Sequence, residues 1–331
     1  FIMMSSTKPI LGVAAMMLIE QGLIQPSDPV SKWIPEFAEM QVAVLRDPVD
    51  EDISPPFVLP TNVPEHRLVP AEREITVHDI LTHTSGIASG GLGNAISEDA
   101  IMWLDTRTSL ATNVPKYGDI VLDFQPGDRW RYSAATALDV IARIIEIESG
   151  LSFNEFVQQR IFEPLGMNDT WWNVPEEYQD RLIDIVGSDT ATPPNSAIYD
   201  TSHSTYFGAS YGLKSTAGDY LRFEQMLVNG GELFGNRLLK PQTVELMSSN
   251  QVGDLFNAMP GVSEQGFGYT VATTEESNER RSKGAFGWGG ALGTRSWSDP
   301  AQELTGVIMI QQPVPQAPRD FENAVHQAIM A

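Results

Sequence analysis

Apolar residues run almost unbroken from Pro9 to Ile19, with Lys8 at the head of the run. The run is too short to cross a membrane and has no polar face. Residues 5–21 are therefore predicted to form a largely buried helix, stopped by Gly22. Beyond it the pattern loosens. Residues 41–75 are dense in proline and charge, which predicts a loop excursion or a surface hairpin. Residues 76–81 read as a short helix with Thr76 and Asp79 in capping-box spacing, and residues 85–93 as a Gly/Ser loop. Helical periodicity returns over 135–149, where Leu138, Ile141, Ile144 and Ile145 repeat before Gly150. Ser152 and Glu155 make a second capping box, opening a helix to about Phe162 that Pro164 and Gly166 end. Further helices are predicted over 216–228, closed by Gly230 and Gly231, and over 241–247, with Pro241 in the first turn. The last third changes period. Residues 266–272, 286–290, 292–298 and 304–311 read as strands between turns, and 319–330 as a final helix. A helix-rich middle before a strand-rich end predicts an α+β fold. The expected division is the buried helix (1–21), a mainly helical lobe with the excursion at 41–75 (22–200), and an α/β lobe (201–331).

Composition narrows the chemistry. The chain has 331 residues, 42% of them hydrophobic, enough for a sizeable core. It has no cysteine, which excludes disulfides, thiolate catalysis and iron–sulfur clusters. Lys and Arg number 21 against 43 Asp and Glu, a net charge of −22, and they form no cluster along the sequence. Nucleic acid and anionic membranes are therefore not expected partners. Glu20 and Gln21 follow the apolar run without a small-residue cleavage site, so it does not read as a signal peptide. The opening lacks an initiator Met and falls inside an apolar segment, as expected of part of a longer chain. The compartment stays open, with the cytoplasm favoured. His66, His78, His83, His203 and His326 are scattered without ligand spacing, so no metal or other cofactor is expected. His83 is expected to hydrogen-bond within its loop, and Trp171-Trp172 to pack between lobes.

Three short features carry candidate chemistry. The first is Ser5-Ser6-Thr7-Lys8. Positions i and i+3 share a helix face, so a serine hydroxyl and an ammonium would point the same way. A serine is a weak nucleophile until a neighbour takes its proton, and a lysine one turn on helps do that. The bland reading is an exposed first turn, but a lysine opening a buried helix needs partners or a role. The second is Tyr132, in a loop before the 135–149 helix. A nearby ammonium favours a phenolate, which would serve as general base for Ser5. The third is Gly287-Trp288-Gly289-Gly290-Ala291. Glycines in a strand often mark close approach of a ligand. Ala291 there and Ser5 at a helix start would supply two oxyanion N–H groups. Taken singly, the last two read as a loop tyrosine and a glycine bulge.

Together, and in this order, the features resemble the serine β-lactamase and penicillin-binding-protein superfamily. The segment Met4-Ser5-Ser6-Thr7-Lys8-Pro9 is similar to its nucleophile motif. Leu81-Thr82-His83-Thr84-Ser85-Gly86, Pro126-Gly127 leading to Tyr132-Ser133, residues 161–167 (IFEPLGM), residues 213–216 (LKST) and Trp288-Gly289-Gly290 also match. More closely, the nucleophile segment resembles that of family VIII carboxylesterases, which are similar to class C β-lactamases. The resemblance implies an antiparallel sheet flanked by helices plus an all-helical lobe, with the site between them. It implies strands before the nucleophile helix; four residues precede Ser5 here. It implies Ser5 as acylated nucleophile, Lys8 and Tyr132 as the proton-transfer pair, and the Ser5 and Ala291 amides as oxyanion donors.

Two departures bear on substrate. Ala134 stands where β-lactamases carry Asn, and Trp288 stands where they carry the Lys of Lys-Thr-Gly. The first removes an amide for an acylamino group, the second a cation for a substrate carboxylate. Trp288, Gly289, Gly290 and Ala134 are thus the expected substrate contacts, and the expected partner is a small neutral ester. Alternatives are a β-lactamase or D-Ala peptidase-like enzyme, an acyltransferase, and a non-catalytic penicillin-binding-like sensor. A competing pattern, Gly208-Ala209-Ser210-Tyr211-Gly212 with Asp299 and His326, fits the nucleophile elbow of α/β-hydrolases. The polar, irregular residues 196–207 argue against the buried strand that an elbow needs.

Overall fold

Helix α1 (Lys8–Glu20) is the axis of the structure, a computed structural model that describes residues 1–46, 63–97, 108–185 and 204–330. Every residue from Lys8 to Leu18 is buried, which is why the apolar run shows no stripe. The preceding residues, Met4–Thr7, form a tighter 3-10 turn rather than an α-helix. Gly12 permits the closest approach along α1. A Cβ there would stand 2.2 Å from Thr270 Oγ1 and 3.2 Å from the Tyr269 carbonyl oxygen.

The predicted excursion pairs its two ends as antiparallel strands β1 (Gln41–Leu45) and β2 (His66–Pro70), with Val42 opposite Val69. Residues 47–62 between them lie outside the described residues. Short helices follow: α2 (Val77–Leu81), α3 (Leu92–Ile96) and α4 (Leu110–Asn113). Helix α5 (Ala137–Ser149) stops at Gly150, whose φ of 71° is left-handed. The helix opened by the Ser152–Glu155 capping box, α6 (Phe153–Val157), does not end at Phe162. It passes through a π turn, Gln158–Phe162, into α7 (Glu163–Leu165) and stops at Gly166. Pro164 sits early in α7 and does not break it.

Helix α8 (Ala217–Val228) is capped by Thr216. It is followed by a hairpin absent from the sequence expectations, β3 (Glu232–Leu233) and β4 (Asn236–Arg237). Phe234 and Gly235 turn it with φ of 54° and 79°, the left-handed pair that tight hairpins favour. Helix α9 (Pro241–Ser248) packs on α1 beside α5. The strand predicted over 266–272 is two strands, β5 (Gln265–Phe267) and β6 (Ala272–Thr274). Thr270, at φ 70°, turns the chain between them. With β7 (Phe286–Gly289), β8 (Arg295–Asp299) and β9 (Leu304–Ile308) they form one antiparallel sheet in sequence order. Helices α8 and α10 (Gln316–Met330) pack on β9. A large core gathers around α1 and α5. A smaller one, Trp130, Val252, Phe256 and Phe267, underlies Tyr132 and Trp288. Among the described residues, no helix is long and apolar enough to cross a membrane.

The α2 capping box forms as predicted, and it carries more than a cap. Thr76 donates to Asp79 Oδ2 from its amide at 2.9 Å and its hydroxyl at 2.7 Å. Arg73 grips both carboxylate oxygens at 2.6 and 2.9 Å. Burial would raise the Asp79 pKa, but the Arg73 and Thr76 bonds outweigh it and hold the group below the usual carboxylate value. The stabilisation is therefore full above the unfolded carboxyl value near pH ~4 and is lost as pH falls through the lower folded value. Asp79→Ala is expected to cost about 2 kcal/mol at neutral pH. Denaturant titrations should show that deficit shrinking below pH ~4.

Candidate active site

Ser5 is half-buried in the 3-10 turn, and Lys8 opens α1 one turn later. Lys8 Nζ donates to Ser5 Oγ at 3.3 Å, to the Ala134 carbonyl at 2.7 Å and to the Ser210 carbonyl at 2.7 Å. An ammonium has three N–H donors, and here it finds three uncharged oxygens. Its side chain is fully buried, and among the described residues no carboxylate pairs with it. The ring of Tyr132 lies against the same group, 5.0 Å from Nζ to centroid.

Tyr132 is fixed by an aromatic cluster. His83 meets it edge-on at 4.8 Å, Trp130 stacks at 6.3 Å and Trp288 lies at 5.5 Å. The Trp288 indole N–H donates to Tyr132 Oη at 3.4 Å. His83 takes a left-handed φ of 60°. Its carbonyl accepts from the Arg131 amide at 3.0 Å and its Nδ1 from the Ser133 amide at 3.4 Å. It thus braces both sides of Tyr132, a wider role than bonding within its own loop. Burial, and then the charge of Lys8, hold its imidazole well below the ordinary pKa, so it is neutral.

The turn carrying Ser5 hangs between two other segments. The Met3 amide bonds the Leu213 carbonyl at 2.9 Å and the Ser215 amide bonds the Phe1 carbonyl at 3.0 Å. This is the structural role of the 213–216 segment. On the other side, Thr294 Oγ1 donates to the Met3 carbonyl at 3.0 Å and shares a 2.9 Å hydrogen bond with Ser6 Oγ. Gly290 is required at this contact: a Cβ would stand 2.2 Å from the Met3 carbonyl oxygen. Met4 holds φ 47°, a conformation non-glycine residues seldom adopt, directly before Ser5. The docking of the β7–β8 turn brings Ala291 into one cleft of about 440 Å³ with Ser5, Tyr132, Trp288, Gly289 and Gly290.

Ala134 does not line that cleft. Ala134 is half-buried, and its carbonyl accepts from Lys8. The α/β-hydrolase alternative is not assembled. Ser210 is fully buried, and Asp299 bonds the Ser282 amide and Gln302 rather than a histidine. The Ser210 segment serves Lys8 instead. Asp139 on α5 accepts from the Ala209 and Ser210 amides at 2.7 and 2.8 Å and from Tyr206 Oη, which in turn meets Tyr117 Oη at 2.8 Å. Complete burial raises the Asp139 pKa, partly offset by those bonds. Sequence reading missed Asp139. Its one signal was a carboxylate on the apolar face of α5, where a charge needs a buried partner. Trp172 is buried, donating to the Gly208 carbonyl at 3.0 Å.

The antiparallel sheet, the buried helix and a Ser-x-x-Lys turn facing a tyrosine define a β-lactamase/transpeptidase-like protein. The Beta-lactamase family model matches residues 1–330, and the chain belongs to that family. Protein Rv1367c of Mycobacterium tuberculosis is 32% identical, over 93% of this chain and 76% of its own length. Lovastatin esterase of Penicillium rubens is 26% identical, over 94% of this chain and 79% of its own length. Among solved structures, "EstCE1, a hydrolase with promiscuous acyltransferase activity" superposes with a TM-score of 0.74 at 21% identity, covering 98% of this chain and 84% of that one. The fold is shared, and the relatives include esterases, acyltransferases and penicillin-binding-like proteins.

Removal of Asp139 should expose its supporting role. Asp139→Ala leaves the Ala209 and Ser210 amides buried without an acceptor, at an expected cost of about 3 kcal/mol. Asp139→Asn keeps one oxygen for both amides and should cost less than half as much. Chemical denaturation of the two variants, read beside the wild type, checks the order.

Proposed function

We propose that the chain is a carboxylesterase that works through an acyl-enzyme on Ser5. The reading rests first on one observation: the fully buried Lys8 ammonium within hydrogen-bonding distance of Ser5 Oγ, at the wall of an open cleft. In this scheme Ser5 Oγ attacks the ester carbonyl carbon while its proton passes to Tyr132 Oη, which Lys8 poises by its charge. The carbonyl oxygen becomes an oxyanion held by the Ser5 and Ala291 amides. Collapse breaks the bond to the alcohol oxygen, which takes the proton from Tyr132. Water then attacks the acyl-enzyme, Tyr132 takes its proton, and Ser5 leaves with that proton as the acid departs. A relative named as an esterase and a hydrolase of like fold support an ester-cleaving reading. Trp288 at the cleft and the absence of an Asn at Ala134 favour esters over β-lactams.

A second reading, acyl transfer, differs only in the acceptor that replaces water. The solved hydrolase's promiscuous acyltransferase activity keeps it in view.

The test is hydrolysis of p-nitrophenyl acetate, butyrate and decanoate beside nitrocefin. Ester cleavage should be lost in Ser5→Ala. Tyr132→Phe should lower kcat by roughly 10²–10⁴-fold with an unchanged circular dichroism spectrum. Nitrocefin cleaved faster than the esters would replace this reading with a β-lactamase. Ester cleavage that survives Ser5→Ala would remove Ser5 from the reaction.

A further inference from the structure

The cleft has a second kind of lining. Pro313, Val314, Pro315 and Pro318 form an apolar wall, and Arg295 and Arg319 line the same cavity as Ser5. Arg295 lies on β8 opposite Gly289 of β7, beside the Trp288-Gly289-Gly290 strand. Arg319 lies in the first turn of α10.

Three observations set these arginines apart. Neither has an ion-pair partner among the described residues. The nearby carboxylate, Glu322, is already bonded to Arg281 at 2.7 Å, and Asp320 accepts from Gln316 at 2.6 Å. Arg295 and Arg319 both keep exposed surface; partial desolvation, and then the like charges of Arg281, Arg319 and Arg280, hold the Arg295 pKa below the ordinary value, with Glu322 opposing. A cation in the first turn of a helix also faces the positive end of the helix dipole. In a chain of net charge −22 the fold has therefore concentrated uncompensated positive charge at one place. The repulsion between these like charges would be relieved by an anion in the cleft.

We propose that the cleft takes esters that carry a free carboxylate, bound by Arg295 and Arg319, with the methylenes between carboxylate and ester along the proline wall. A guanidinium matches a carboxylate in two parallel hydrogen bonds. This rests on the esterase reading for the reaction and departs from it on substrate, since Trp288 alone points to a neutral ester.

Two matched pairs test the proposal. Mono-4-nitrophenyl glutarate against 4-nitrophenyl valerate places the charge on the acyl side. 4-Acetoxybenzoate against its methyl ester places it on the leaving group. In at least one pair the anionic ester is expected to show kcat/KM about tenfold above its neutral match at low salt, with the ratio falling as NaCl is raised. In Arg295→Gln/Arg319→Gln the ratio should drop to about one. Using the ratio within each variant cancels any general loss of activity. Calorimetry of glutarate with the Ser5→Ala chain gives a readout without turnover: heat of binding that disappears when both arginines are also replaced by Gln. No anionic preference in either pair, or a ratio unchanged in the double variant, overturns the carboxylate assignment. An absence of ester turnover together with arginine-dependent glutarate binding would overturn the esterase reading and leave the anion site standing.

Discussion

The buried ammonium of Lys8 is the constraint on which the rest of the site depends. Taking an ammonium out of water costs several kcal/mol even after relaxation. Here that cost is offset by dipoles rather than by a counter-ion: the carbonyls of Ala134 and Ser210 and the hydroxyl of Ser5 take its three hydrogens. Each oxygen comes from a different part of the chain. Ala134 belongs to the loop that carries Tyr132, Ser210 to the segment anchored on α5, and Ser5 to the 3-10 turn. One cation thus fixes three segments relative to one another. An arginine's planar fork would not reach three acceptors in these directions.

The surrounding charges follow from that choice. A carboxylate beside Lys8 would neutralise the field at Ser5. The buried acid Asp139 acts through Ser210: it accepts from the Ser210 amide, and the Ser210 carbonyl accepts from Lys8. The N–H and the carbonyl of Ser210 belong to successive peptide groups, so Asp139 supports Lys8 by holding in place the residue whose carbonyl Lys8 uses. His83 sits against Tyr132 as a neutral ring. The net field at Ser5 is therefore positive, the sign that favours charge developing on an ester oxygen.

Much of this was legible in the sequence, and the boundary is physical. Local signals survived folding. The capping boxes at Thr76 and Ser152, the stops at Gly150 and Gly166, and the apolar run of α1 lie where their chemistry puts them. The order of Ser5, Lys8, Tyr132 and Trp288 to Ala291 pointed to residues that the structure brings to one place. What the sequence could not show was contact between distant backbone. The Ser210 carbonyl has no side-chain signature, so its segment read as a nucleophile elbow. Ala134 read as a missing amide, although its carbonyl holds Lys8. The 266–272 segment read as one strand because Thr270 does not announce a left-handed turn.

The arginines show the same limit applied to charge. Along the chain they are scattered among 43 acidic residues, and no basic cluster is visible. Folding sets Arg295 on a strand next to the Trp288 strand and brings Arg319 of α10 to the same cleft, so two cations line one cavity. Trp288 removes a cation at the motif, which by itself argues for a neutral ligand. It packs instead on Tyr132 and Phe267, and among the described residues Lys8 is the cation bonded to Ser5. In the proposed scheme, charge for binding and charge for catalysis are carried by different residues. A ligand anion held at Arg295 and Arg319 would neutralise those cations without competing for Lys8, whose donors are already filled. That separation lets a cleft keep a positive field at its nucleophile while holding a negatively charged ligand.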